Sequence, residues 1–205
     1  MKETRVVRTV ILAEQICKFT NPCILSLLLL LTMLFTLSTS PGVLAGSSLT
    51  IFLILVAAPL LYVYLRTARE RVSGHRMADP TLFLKRHPRS ILALGIVCGL
   101  PAWLLLKTLN APPEMLYAMI AFLATALAVA LFNLFYRVSF HLAALTTLIL
   151  MAVFTWGLPF IILAAAVPMV GWAKYVLYEH TPAQMVLGIA TAIAVTSGLV
   201  YGVWS

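Results

Sequence analysis

The sequence predicts an all-α fold, a polytopic transmembrane helical bundle of about six to seven spans. Three observations predict it. Hydrophobic residues make up 62% of the 205-residue chain and charged residues only 10%, with a mean hydropathy of +1.05. That composition excludes an ordinary water-soluble globule. The apolar residues fall in long runs, and a bilayer core about 30 Å thick takes about 20 helical residues to cross. Finally, thirteen of the fourteen Lys and Arg can be placed on one side of a membrane, with Lys107 alone on the other. Backbone polar groups in lipid must be paired within their own segment, so the spans are helices rather than strands.

The length accommodates one integral membrane domain, residues 1–205. Residues 1–20 form a basic amphipathic segment in which Val6, Val7, Val10, Ile11, Leu12, Ile16 and Phe19 alternate with Arg5, Arg8, Glu14 and Lys18. It either lies along the membrane surface or extends the first span into water. The first apolar run starts near Asn21, late for a cleavable signal. Spans are predicted at 22–40, 47–65, 90–107, 113–136, 140–156, 158–171 and 184–203. Ser40-Pro41-Gly42 and Asn110-Ala111-Pro112-Pro113 mark turns on the sparsely charged side. Gly157-Leu158-Pro159 divides an apolar run of about 30 residues, and is read as a turn because this brings Lys174 to the side of the other cations. The cost is a fourteen-residue span of about 21 Å, short for the bilayer core. Under the positive-inside rule the amino terminus and basic face are cytoplasmic, in an inner or plasma membrane. Cys17, Cys23 and Cys98 have no metal-ligand spacing and read as small buried hydrophobes.

Three clusters on the basic face could carry chemistry. The first contains Asp79, Lys85, Arg86, His87 and Arg89. Guanidinium forks match phosphate oxygens two at a time, so it could clamp a phosphate or simply anchor the loop between two spans. In the second, Tyr136-Arg137-Val138-Ser139-Phe140-His141, Ser139 can serve as N-cap and His141 falls in the first helical turn, where unpaired N–H groups favour an anion. The third runs from Lys174 through Glu179 and His180 to Gly188. Thr181, Pro182 and Gln184 fit a capping box, which explains all three without catalysis but leaves His180 unexplained.

Residues 79–203 resemble the type-2 phosphatidic acid phosphatase superfamily. Its third motif pairs an Arg with a His six residues on and an Asp four beyond that, often followed by Gly after four more. Lys174, His180, Gln184 and Gly188 keep those steps, with Lys for Arg and Gln for Asp. Its second motif, Pro-Ser-Gly-His, is matched by Ser139 and His141 within Val138-Ser139-Phe140-His141. Asp79 followed by Lys85, Arg86 and Arg89 is similar to the variant first motif of some branches.

The resemblance implies hydrolysis of a membrane lipid or isoprenoid phosphate or diphosphate through a phosphohistidine. His180 would be the nucleophile and His141 would protonate the leaving oxygen. Lys85, Arg86, Arg89, Ser139 and Lys174 would hold the phosphate, supported by Gln184, Asp79 and Arg137. No metal or cofactor is implied. The partners are the polyprenyl or lipid phosphate and the bilayer that holds its tail; the net charge of +8 serves orientation and phosphate binding, not nucleic acid. Two other readings stay open. A weak or inactive relative that binds anionic lipid or a partner would suit Gln184, since an amide adds no charge to support a histidine. A small transporter or channel would require ionisable residues at mid-membrane depth, and the predicted spans hold few.

Overall fold

The computed structural model describes residues 2–38, 40–72 and 88–204, with side chains over 7–38, 40–69 and 94–202. Among the described residues every regular element is helical. The helices are α1 (Lys2–Phe19), α2 (Pro22–Leu37), α3 (Pro41–Thr50), α4 (Ala58–Val72), α5 (Pro88–Thr108), α6 (Pro113–Phe132), α7 (Phe140–Trp156), α8 (Ala166–Val176) and α9 (Pro182–Trp204). Five described runs are long and apolar enough to cross a membrane: Val7–Leu37, Pro41–Arg69, Pro113–Phe132, Leu158–Val176 and Pro182–Gly202. Leu94–Thr108 and Phe140–Trp156 are shorter apolar helices. This pattern is that of a multi-pass integral membrane protein. The two shorter helices fall on the predicted spans 90–107 and 140–156, and α1 joins α2 in one long apolar run.

The helices cluster in two compact units, Met33–Met119 and Met1–Thr32 with Ile120–Ser205. In the first unit, Ser40 accepts a hydrogen bond from Val43 N–H at 3.2 Å and Pro41 stands at the first helical position, which starts α3. The ladder widens to π-type hydrogen bonding through Ile51–Ala57 before α4. α5 packs against this wound segment and its flanking helices. It ends where Asn110 takes a left-handed conformation (φ 55°) and Ala111 N–H reaches back to Leu106 O at 3.0 Å, a helix stop that the following prolines make final.

In the second unit α7 is central. Ten of its residues are buried, including Leu142, Leu145 and Ile149. A helix apolar all round is one surrounded by protein or lipid on every side, which explains its uniform sequence. Leu142, Leu145 and Ile149 pack with Val170 of α8 and Met185 of α9. Val170 can meet Leu142, at the start of α7, only if the chain reverses after α7. Gly157 makes that reversal with φ +95°, a conformation that suits glycine and few other residues. The turn reading of Gly157-Leu158-Pro159 therefore holds.

The span after the turn is longer than predicted. It runs 19 residues, and its first eight, Leu158–Ala165, are wound as a 3₁₀-helix. The 3₁₀ rise is greater, so the run covers roughly 32 Å, enough for a bilayer core. The shortfall expected for a fourteen-residue span disappears.

α1 packs along α8, and Ala13 at its centre is fully buried. Lys2–Phe19 is thus a structural helix of this unit. A line of buried hydroxyls joins three helices: Thr196 donates to Thr147 at 3.4 Å, and Thr147 donates to Thr125 at 3.1 Å. Interhelical bonds of this kind average about 0.6 kcal/mol in membrane proteins.

Candidate functional site

The ends of α1 and α8 and the starts of α7 and α9 converge on one cluster. α8 stops at Tyr178, a non-glycine residue in the left-handed region (φ 54°). Glu179 N–H bonds back to Lys174 O at 3.1 Å across this stop. The reversal puts the Lys174 ammonium against the Glu179 carboxylate as an ion pair. It also delivers His180 to the mouth of α9.

α9 begins with the predicted capping box. Gln184 N–H donates to Thr181 Oγ1 at 3.4 Å, and Thr181 N–H donates to Gln184 Oε1 at 3.0 Å. The same Oε1 lies 3.2 Å from His180 Nδ1. An amide oxygen only accepts, so Nδ1 carries the proton and Nε2 keeps a free lone pair. Burial pushes the His180 pKa below its ordinary 6.5. The Gln184 hydrogen bond opposes this, Lys174 and Arg137 reinforce it, and Glu179 opposes it.

His141 sits in the first turn of α7, within electrostatic range of Lys174, Glu179 and His180. The two histidines therefore lie at the same end of this unit, within electrostatic range of each other. α9 is drawn close to the start of α7 by Gly188, where a Cβ would stand 2.6 Å from Ser139 O, and Ser139 N–H donates to Gln184 O at 3.2 Å. Ser139 occupies the N-cap position of α7, but its hydroxyl makes no cap bond; the group is fully buried with no partner among the described residues. Its backbone N–H is already committed, which removes it as a phosphate donor.

Arg137 lies exposed in the α6–α7 turn and acts on His180 through its charge. Asp79, Lys85 and Arg86 lie outside the described residues; Arg89 falls in the first turn of α5, with its side chain outside them.

Sequence reasoning missed the part α1 plays here. Cys17 was expected to be a small buried hydrophobe, yet it is only half-buried and lies within electrostatic range of Lys174. Thr20 Oγ1 lies 3.3 Å from His141 Nε2. Cys23 is exposed, and only Cys98 is buried as expected. Nothing local marks Cys17 or Thr20; they join the site only through tertiary packing. No family model, curated protein or solved structure matches this chain.

Proposed function

We propose that the chain is a membrane phosphatase acting on a lipid or isoprenoid phosphate or diphosphate. The observation that carries the reading is the double use of Gln184 Oε1, which accepts from Thr181 N–H and His180 Nδ1–H together. It presents His180 Nε2 as an unprotonated nucleophile beside His141 and Lys174.

In the first step Nε2 attacks phosphorus, a P–N bond forms, and the bond to the leaving oxygen breaks. With the anionic phosphate bound beside it, His141 carries a second proton and gives it to that oxygen. Water then attacks the phosphohistidine, His141 takes a proton from it, and the P–N bond breaks to release phosphate. Lys174 neutralises charge on the phosphate oxygens by sharing its ammonium with Glu179. Arg137 supports the phosphate through its charge; the family resemblance alone assigns Lys85, Arg86 and Arg89 to phosphate binding, with Asp79 in support.

Exposed aromatics flank the cluster: Phe19 is 77% exposed, Phe135 92% and Tyr178 97%. Such rings collect at the headgroup level of a bilayer, where a lipid phosphate resides. The tail would stay in the membrane while the head enters from the cytoplasmic leaflet. The uncharged Gln184 favours a second reading, a lipid-binding relative with little or no turnover.

Purified protein should release phosphate from polyprenyl or glycerolipid phosphates with chelator present, and His180→Ala should abolish it. Release that survives in His180→Ala removes the nucleophile. No release by the parent protein from any of these substrates moves the assignment to the binding reading.

A further inference from the structure

We propose that Thr20 is a positioning residue for His141, fixing its tautomer and so the nitrogen through which it moves a proton. The argument counts protons. The Thr20 hydroxyl has one, and Oγ1 lies 2.7 Å from Ile16 O, which can only accept. The proton is committed there. Ile16 O has a second lone pair, which takes Thr20 N–H at 2.9 Å. What Oγ1 still offers is a lone pair, and His141 Nε2 lies 3.3 Å from it. Two lone pairs do not bond, so Nε2 carries the hydrogen and donates it to Thr20. Nδ1 is left to accept or release the mobile proton.

This arrangement mirrors His180, where Nδ1–H is held by Gln184 and Nε2 is free. The two imidazoles are held at opposite nitrogens by two neutral oxygen acceptors. In the phosphatase reading, on which the catalytic consequence rests, His141 gives its Nδ1 proton to the leaving oxygen and recovers one from water. Its Nε2–H stays on Thr20 throughout.

Thr20 is well placed for such a role. It is the residue after the end of α1, and Ile16 anchors that end by packing against the cluster of Leu142, Val170 and Met185. Cys17, in the same turn, lies within electrostatic range of Lys174. Immediately beyond, Asn21 Oδ1 accepts from Cys23 N–H at 2.9 Å and starts α2, which fixes the break in the chain at Thr20.

The test uses full-length protein labelled with ¹⁵N-histidine in lipid nanodiscs at mildly alkaline pH, where the imidazoles are neutral. Imidazole ¹H–¹⁵N correlation spectra report the tautomer, and His141→Asn identifies the His141 signals. The parent and Thr20→Ser should show His141 protonated at Nε2, and Thr20→Val should shift it towards a mixture. Phosphate release should fall roughly 10- to 100-fold in kcat in Thr20→Val with KM little changed, and return in Thr20→Ser. A parent protonated at Nδ1, or an unchanged tautomer in folded Thr20→Val, overturns the proposal. If Thr20→Val does not fold, the parent and Thr20→Ser spectra decide alone: Nε2–H in both supports it and Nδ1–H in either overturns it. The expected tautomers in a protein that releases no phosphate would uphold Thr20's positioning role while removing the phosphatase reading.

Discussion

Gln184 is the residue at which chemistry and architecture meet. One amide oxygen closes the α9 capping box and orients His180. Replacing it by the shorter Asp of the phosphatase motif would withdraw the oxygen from both donors. Gln184→Glu keeps the length and adds charge. The pH dependence follows from His180. Its folded pKa lies below 6.5, so the unfolded state binds more protons in the window beneath that value, and His180 destabilises the fold as pH falls through it. The same depression keeps the imidazole neutral at pH 7. The acidic limb of kcat/KM should therefore lie below pH 6.5, and Gln184→Glu should move it upwards, because a carboxylate stabilises the imidazolium. An unmoved limb would mean that another group sets the profile. Lys174, Glu179, Arg137 and His141 are the other charged or titratable groups coupled here, and an NMR titration of the His180 ring, its signals assigned by their loss in His180→Ala, identifies the limb that belongs to His180.

At the scale of elements, the site depends on how closely α9 approaches α7. Gly188 permits it, since any side chain would meet the Ser139 carbonyl. That neighbour is backbone and cannot swing aside. Gly188→Ala should cost about 1–3 kcal/mol, measured by thermal unfolding in detergent, and should reduce activity with it. Gly198 on the same helix faces open space, and Gly198→Ala should raise stability by about 0.5–1 kcal/mol. Equal effects at the two positions would contradict the close packing. Much of this level was legible from sequence. The Thr181–Gln184 box is a local pattern, and Gly157-Leu158-Pro159 announces a break. The 3₁₀ winding of Leu158–Ala165 was not legible, because helix type there follows from packing beside α7 and not from propensity. Nor was the part played by α1. Thr20 and His141 are 121 residues apart, and neither carries a mark of the other.

For the whole molecule, the uneven charge distribution made the membrane character readable, and five described runs are long and apolar enough to span. Orientation follows from the same cations. A tag at the amino terminus should be cytoplasmic and a tag after Ser205 external; cytoplasmic labelling of both would remove the proposed topology. The proposed phosphate chemistry rests in the sequence on a pattern of spacings alone. What the fold adds is the placement of His141 and His180 within electrostatic range of each other and the hydrogen bonds that assign their protons. The most direct measurement is to quench a reacting mixture of protein and lipid phosphate under alkaline conditions, which preserve phosphohistidine, and locate the phosphate by peptide mass spectrometry. The account predicts phosphate on His180, accumulating further in a variant slowed at His141. Turnover with no phosphate on His180 at any quench time, or phosphate carried by another residue, would contradict it.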